Sequence, residues 1–169
     1  MPDNNCNSSP LKEHLEQRLE ELSSLARHNI GLLAEVPGSI DMCKKSIRTQ
    51  AWRLIVVERN DPLESLITSN IPIGGTLTHS LLESIFYPGN PLHDGAVLVR
   101  SDTVVSAANV LPLSNIHVTD RKLGTRHRAA IGLTERGDAF VLVVSEETGQ
   151  ASFAISGVLH PINMSPFES

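Results

Sequence analysis

Cysteine is scarce in this sequence, and the features that identify a secreted or membrane protein are missing. The 2 cysteines, Cys6 and Cys43, lie far apart and form neither a CxxC metal pair nor a disulfide framework. No apolar run approaches the roughly 20 residues that span a bilayer. The amino terminus lacks the basic segment followed by an apolar one that a secretory signal contains. The sequence therefore predicts a soluble, cytoplasmic protein with reduced thiols and no membrane contact.

Positive charge is also in short supply. The chain has 14 Lys and Arg against 19 Asp and Glu, a net charge of -5. This balance argues against a nonspecific nucleic-acid binder, because such binding depends on neutralising phosphates. The exception is local: Arg121, Lys122, Arg126 and Arg128 have no acidic residue among them. The cluster indicates a small-anion site, with a solvated basic helix face as the alternative, which is favoured for Arg121 and Lys122.

The chain of 169 residues has room for one ordinary domain and an appendage. Residues 1–50 are predicted to form a helical hairpin, because Val36-Pro37-Gly38 separates two amphipathic segments. The apolar stripe of the first helix needs a surface to cover, since short isolated helices are marginal in water. This stripe consists of Leu11, Leu15, Leu19, Leu22 and Ala26.

Residues 51–169 are predicted to form a mixed α/β domain, because buried β-rich runs alternate with helical patterns and turn signals. The second half contains two hairpin signals, each of two β-rich runs around a polar turn. The predicted elements are a buried strand over 54–57, a short helix opened by Asp61-Pro62, a turn at Gly74-Gly75, a helix capped by Thr78, a hairpin over 96–110, a helix that begins at Arg126 under a Thr125 cap, and a hairpin over 139–155.

The first motif with chemical potential is Leu92-His93-Asp94-Gly95-Ala96. Gly95 lets a ligand or another backbone approach Asp94 closely, so Asp94 could hold a divalent cation or take a proton from a hydroxyl. His93 can reach the same metal if the turn is tight. The alternative is an ordinary Asp-Gly turn with a histidine that is satisfied by one backbone hydrogen bond.

The second motif is Gly124-Thr125-Arg126-His127-Arg128. Backbone N–H groups at a helix start, the helix dipole and two guanidinium groups could converge on a phosphate. The two arginines diverge on a regular helix, so this hypothesis requires that they lie in a turn or in the first helical residues. Two exposed arginines are the alternative, and His127 is interpreted as packing or supporting rather than as a general base. Glu146 and Glu147 either cap the second hairpin or supply an oxygen ligand to a metal.

Together with Val110-Leu111-Pro112-Leu113 and Ser145-Glu146-Glu147-Thr148-Gly149, these motifs resemble the diadenylate cyclase family. The resemblance runs from about Glu58 to about Gly157 and keeps the family's order. It implies a mixed central β-sheet flanked by helices that binds ATP with Mg²⁺ or Mn²⁺. The implied reaction joins two ATP into cyclic di-AMP and releases two pyrophosphates.

The resemblance also implies a role for each matching residue. Asp94 would lie near the ribose 3'-hydroxyl and the metal, with His93 as a metal neighbour, and Leu111 would give a backbone contact to adenine. Asp94, Arg126 and Arg128 are the implied catalytic residues. The nucleotide-binding set is Gly95, Ala96, Leu111, Gly124, Thr125, Arg126, His127, Arg128, Ser145, Glu146 and Glu147.

The short prefix resembles that of the soluble sporulation-associated branch of the family. That likeness implies that residues 1–50 restrain activity and that subunits form higher oligomers. Since two ATP must react with each other, two subunits are expected to meet face to face around a two-fold axis. Two other functions stay open: a sensor that binds a nucleotide without catalysis, and a metal-dependent phosphohydrolase that uses His93 and Asp94. The hydrolase needs more ligands than His79, His117 and His160 supply at suitable spacing.

Overall fold

The computed structural model describes residues 53–68, 71–115 and 123–162. The predicted helical hairpin and the domain boundary after residue 50 lie outside these ranges. Within them, no helix is long and apolar enough to cross a membrane. The described elements are β1 Arg53–Glu58, β2 Ile71–Thr76, α1 His79–Ile85, β3 Ala96–Arg100, β4 Thr103–Asn109, α2 Thr125–Arg136, β5 Ala139–Val144, β6 Ala151–Ile155 and β7 Val158–Pro161.

The strands form a single seven-stranded sheet in the order β2-β4-β3-β1-β5-β6-β7. β1 and β3 are parallel, and the remaining neighbouring pairs of the described sheet are antiparallel. β1 is central, and its residues 54–57 are apolar, as expected for a strand that is paired on both sides and covered on its faces. The mixed central sheet flanked by helices confirms the predicted fold class.

Helix α2 covers the β5–β6 part of the sheet. Its buried residues include Ala129, Ala130 and Leu133, which belong to the same apolar cluster as Val141 and Val143 of β5. Small alanine side chains bring the first turns of α2 close to the sheet, because little volume separates the two backbones. Gly137 then ends the helix, and β5 begins at Ala139. As a result, the amino end of α2 lies beside the carboxyl end of β5.

Two hairpins and one helix are where the sequence predicted them. β3 pairs with β4 and β5 pairs with β6, both antiparallel. Thr78 caps α1, since its hydroxyl accepts a hydrogen bond from the N–H of Leu81 at 3.1 Å. Such a cap satisfies an N–H group that has no partner within the helix.

The predicted helix after Asp61-Pro62 is wrong. This segment is a turn, in which the N–H of Leu66 donates to the carbonyl of Leu63 at 2.9 Å. The N–H of Leu63 donates to the Glu58 carboxylate at 3.2 Å, and Leu63 is fully buried. Few residues lie between β1 and Thr68, which forms an isolated β-bridge with Val110. A helix this short would form too few hydrogen bonds to offset the free-energy cost of nucleation.

The predicted turn at Gly74-Gly75 is also wrong, because both glycines lie inside edge strand β2. The register with β4 shifts between Pro72 and Gly75, and Gly74 has a φ of +68°. The glycine pair is therefore a β-bulge, which a strand can hold without reversing direction. Strand β7 was not predicted; it follows a turn at Ser156-Gly157, where both residues have positive φ.

Candidate active site

One end of the sheet gathers the predicted site residues, and we call it the site end: the starts of β1 and β3 and the ends of β4 and β5. In the register of β1, Ile55 pairs with Val97 of β3 and Arg53 pairs with Val144 of β5. Asp94 and Ser145 therefore flank the start of β1. Since neighbouring strands lie about 4.8 Å apart, the two chain segments are separated by about 10 Å across the sheet.

Gly95 occupies a position where any side chain would be strained. Its φ is +124°, and a Cβ there would lie 2.8 Å from the carbonyl carbon of Ala108 and 2.9 Å from the carbonyl oxygen of Asn109. Both obstacles are backbone atoms, which cannot move aside as a flexible side chain can. Close backbone approach was the role expected of Gly95, and here the approaching backbone is the end of β4.

The backbone that presses on Gly95 is itself unusual. Ala108 has a φ of +53°, and the β3–β4 register shifts on both sides of Leu98. A positive φ costs an alanine of order 1–3 kcal/mol and persists only where the surroundings impose it. Asn109 supplies one such constraint, because its Nδ2 donates to the carbonyl of Ala96 at 2.8 Å.

Asn109 is a structural residue that the sequence analysis missed. It is buried, and its side-chain carbonyl accepts a hydrogen bond from the Ser106 hydroxyl at 3.1 Å. Buried side-chain amides are almost always hydrogen-bonded. The bond from Asn109 to Ala96 therefore fixes the first residue of β3 and, with it, the position of Asp94. The available signal was a lone asparagine at the end of the apolar run that begins at Val104.

Asp94 is exposed and forms no ion pair with the described residues. The adjacent His93 ring bonds through Nδ1 to the carbonyl of Asn90. A carbonyl can only accept, so Nδ1 donates this hydrogen bond, and a metal would have to bind the ring through Nε2. Asn90 holds this turn further, since its Oδ1 accepts from the N–H of Leu92 at 3.0 Å.

The predicted cap of α2 is wrong by one residue. Gly124 is the N-cap and Thr125 is the first helical residue, with no side-chain hydrogen bond at the cap. The carbonyl of Gly124 begins the helical ladder by accepting from the N–H of Arg128 at 3.2 Å. This register turns Ala129 and Ala130 toward the sheet. The first N–H groups of an α-helix have no partner within the helix, and no acidic side chain lies in the first turn of α2, so anion binding there stays a prediction.

The two arginines lie in the first helical residues, which meets the condition set by the sequence analysis. Their side chains reach different partners, however. Arg126 donates through Nη1 to Glu146 at 3.1 Å, and Arg128 donates through Nη2 to the carbonyl of Ser114 at 3.3 Å. Convergence of both guanidinium groups on one phosphate stays a prediction.

The β5–β6 turn brings its carboxylates against the start of α2. Glu146 pairs with Arg126, and the charge of Glu147 acts on His127. Burial lowers the pKa of His127, and Glu147 partly opposes that shift. His127 is partly buried, and its packing or supporting role stays a prediction. Ser145 begins the turn, and its N–H donates to the carbonyl of Gln150 at 2.9 Å.

A short segment joins the two motifs. Asn109 is bonded to Ala96 beside the first motif, and Ser114 donates its N–H to the carbonyl of Arg128 in the second, at 3.0 Å. Five residues of chain extend at most about 17 Å, so the two motifs are held near each other. Leu111 lies in this segment with its side chain buried in the core.

His93 and Asp94 could hold a divalent cation whose coordination shell is completed by a bound nucleotide. The described residues contain no group of three or more His, Cys, Asp or Glu that could hold a metal ion. Magnesium commonly takes one or two protein ligands and completes its shell with phosphate oxygens and water. The exposed Asp94 carboxylate and the imidazole of His93 are ligand types that fit that pattern.

A family model for the DisA bacterial checkpoint controller nucleotide-binding domain, abbreviated DAC, matches residues 41–159. The chain belongs to this family. The match contains both motifs, the segment that joins them and the β5–β6 turn. Membership in the DAC family confirms the resemblance that the sequence predicted.

Named relatives agree with this membership. The chain is 62% identical over 111 residues to diadenylate cyclase CdaS of Bacillus thuringiensis, which is 66% of this chain and 55% of the relative. It is 60% identical over 109 residues to cyclic di-AMP synthase CdaS of Bacillus subtilis, which is 64% of this chain and 52% of the relative. The chain thus spans about half the length of the curated relatives it matches.

A solved structure supports the fold. The structure of a double mutant of DacA from Staphylococcus aureus aligns with a TM-score of 0.68 at 38% identity. The alignment covers 72% of this chain and 81% of that one.

Proposed function

We propose that this chain is a diadenylate cyclase that joins two ATP into cyclic di-AMP and releases two pyrophosphates. The observation that carries the proposal is that Asp94 and the amino end of α2 lie at the same end of one sheet, joined by residues 109–114. This arrangement supports a carboxylate and an anion site acting on the same nucleotide, which is the pair of groups that nucleotidyl transfer requires. The names of the relatives support the same reaction.

In the proposed reaction, the 3'-oxygen of one ATP attacks the α-phosphorus of the other. The bond from that phosphorus to the bridging oxygen breaks, pyrophosphate leaves, and Asp94 accepts the proton of the hydroxyl. The same step with the two nucleotides exchanged then closes the ring and releases the second pyrophosphate. Asp94 fits this role because it is exposed while Gly95 and Ala96, which follow it, are fixed by β4.

The triphosphate would be bound by the first N–H groups of α2 together with Arg126 and Arg128. These groups offset the negative charge that accumulates on the departing pyrophosphate. Ser145 and one of Glu146 and Glu147 would line the phosphate side, and the backbone at Leu111 would contact adenine. A Mg²⁺ or Mn²⁺ held by Asp94 and His93 would supply Lewis acidity toward the phosphate oxygens.

One chain supplies half of this site, since it has one Asp94 and one triphosphate site while the reaction consumes two nucleotides. We therefore propose that two subunits face each other across a two-fold axis, each presenting one ATP. Positioning two reactants in this way can remove roughly 7 to 11 kcal/mol of barrier. Activity per subunit should fall when the protein is diluted until light scattering reports monomers. Undiminished synthesis by monomers would rule out the shared site.

The proposed reaction is tested by mass analysis of the nucleotides after incubation with ATP and Mn²⁺ or Mg²⁺. The expected products are cyclic di-AMP and pyrophosphate in a ratio of one to two. Binding of ATP without product would instead favour a nucleotide sensor. Release of inorganic phosphate or AMP alone would favour a hydrolase.

A further inference from the structure

Ser114 is fully buried, yet it belongs to neither motif. Its N–H donates to the carbonyl of Arg128 at 3.0 Å, and its hydroxyl donates to the Glu135 carboxylate at 2.7 Å. Its carbonyl accepts from Arg128 Nη2 at 3.3 Å. The backbone donor, the backbone acceptor and the side chain of Ser114 are thus all bonded to α2, and a bond to a charged group is among the stronger ones.

The surface of α2 is shaped to receive this segment. Arg128, Gly132 and Glu135 are spaced i, i+4 and i+7, so they form one stripe along the helix. A Cβ at Gly132 would lie 2.2 Å from the carbonyl oxygen of Pro112 and 2.5 Å from the nitrogen of Ser114. Backbone therefore packs directly on backbone here. We call Ser114, Arg128, Gly132 and Glu135 the Ser114 clamp.

The clamp holds one end of the segment whose other end is fixed to the first motif through Asn109. Between these points the Leu111 side chain is buried while Val110 and Leu113 are 55% and 40% exposed, so the outward surface of the segment consists of these two side chains and the backbone between them. Outward backbone groups can distinguish purines. A carbonyl accepts from the 6-amino group of adenine and an N–H donates to its N1, whereas guanine presents the opposite pair at these positions.

We propose that the Ser114 clamp is a positioning device that sets the purine selectivity of the site, by holding the backbone of residues 111–113 at a fixed distance from the triphosphate-binding turn of α2. This inference rests on the proposed function, since it assigns the base of the ATP to that segment. Discrimination by hydrogen bonding requires the backbone to be held within about 0.5 Å. Guanine would leave the backbone hydrogen-bonding groups of this segment unpaired. A small displacement of the backbone weakens the bonds to adenine and thereby reduces the discrimination between the two purines.

The test compares binding of 3'-deoxy-ATP and 3'-deoxy-GTP, which lack the attacking hydroxyl and are not consumed. Ser114→Ala removes the bond to Glu135 and leaves both backbone bonds in place, and Glu135→Ala removes the same bond from an exposed position. We expect either change to lower the ratio of adenine to guanine affinity about tenfold, equivalent to about 1.4 kcal/mol. Glu135→Gln retains an accepting oxygen and should keep the ratio.

A matched control is Thr134→Val on the same helix. The Thr134 hydroxyl is buried and donates to the carbonyl of Ala130 at 2.9 Å. Its removal should lower the melting temperature and leave the affinity ratio unchanged. This control separates a general loss of stability from a displacement of the backbone of residues 111–113.

An unchanged ratio in both Ser114→Ala and Glu135→Ala would overturn the inference, whatever their melting temperatures. If Ser114→Ala does not fold, the exposed Glu135→Ala decides alone. A wild-type chain that binds both analogues equally would also overturn the inference, while its products from ATP would still decide the proposed function. A wild-type chain that prefers 3'-deoxy-ATP but makes no cyclic di-AMP would overturn only the proposed reaction.

Discussion

The two ends of the sheet use their charged residues differently. At the end opposite the site, where β1 and β3 finish, Arg100 bonds to the carboxylates of both Glu58 and Glu64. Close by along the sheet, Arg59 pairs with Asp138 at 3.2 Å. The hydrogen bonds that Arg100 donates to Glu58 and then to Glu64 raise the pKa of its guanidinium above the ordinary arginine value. Each of these charged side chains at this end is paired with one of opposite sign.

At the site end the carboxylate of Asp94 is exposed and has no ion-pair partner among residues 53–68, 71–115 and 123–162. The Arg126 pair there involves Glu146, whose side chain is 61% exposed, so water and salt compete with it. What is fixed at this end is the backbone, through Gly95, Asn109 and Ser114. The comparison indicates that the backbone is fixed at the site end, while the Asp94 carboxylate is exposed and the Arg126–Glu146 pair is open to water.

The largest effect should come from exchanging one carboxylate for an amide at each end. Asp94→Asn should lower cyclic di-AMP synthesis by about 10² to 10⁴, because a group used in acid/base work is lost, and should leave the melting temperature unchanged. Asp138→Asn is the matched control, since Asp138 binds Arg59 and Asn60 away from the site. It should lower stability with little effect on turnover. Turnover by Asp94→Asn within a few-fold of wild type would refute the assignment.

The next effect concerns two glycines with positive φ. Gly95→Ala should destabilise the protein by roughly 3 kcal/mol in urea unfolding, because backbone strain adds to a clash with β4. Gly74→Ala places a methyl group in open space and should cost only about 1 kcal/mol. Equal costs would mean that the β4 backbone yields to the added methyl group and does not enforce the site.

A smaller effect should distinguish the arginines of the two ends. Arg126→Lys keeps the charge but loses the planar fork, so KM for ATP should rise about tenfold. Arg100→Lys makes the same exchange among the paired charges of the opposite end and should leave KM unchanged. KM for ATP is measured by steady-state kinetics on the wild type and both variants. Equal KM values for wild type and Arg126→Lys would make Arg126 a surface partner of Glu146.

The smallest effect is a pH dependence of stability. Burial lowers the pKa of His127, so the unfolded chain takes up a proton before the folded one as the pH falls below about 6.5. Stability from this group is present above that pH and is lost below it. His160, whose pKa burial also lowers, contributes with the same sign. Thermal unfolding between pH 7.5 and 5 should show the loss, and His127→Gln should reduce it. If the melting temperature of His127→Gln depends on pH in the same way as that of the wild type, the lowered pKa of His127 is contradicted.

Features encoded by neighbouring residues could be predicted from the sequence. The two hairpins and the Thr78 cap depend on local patterns, and the motif positions follow once β3 and α2 are placed. The chemistry of Asp94 could be proposed for the same reason. Whether its partners converge depends on the pairing of β1 with both β3 and β5, which no local pattern specifies.

Errors arose where one residue type serves two structures. Gly74-Gly75 suits a turn or a bulge, and only the pairing of β2 with β4 selects the bulge. Gly124 and Thr125 can both cap a helix, and the burial of Ala129 decides between them. Asn109 and Ser114 were missed because their partners, Ala96 and Glu135, are distant in sequence. A polar residue reveals such a role only when its burial is known.

The parallel pairing of β1 with β3 has a consequence for the order of folding. The hairpins β3–β4 and β5–β6 close short loops, whereas pairing Ile55 with Val97, and Arg53 with Val144, closes long ones. Long loops cost more entropy to close and slow the contacts that need them. We therefore expect β1 to enter last, between two hairpins that are already formed, and its entry also completes the site end. Nucleotide binding would then stabilise the final step of folding, and a refolding chain would gain activity after most of its strand content.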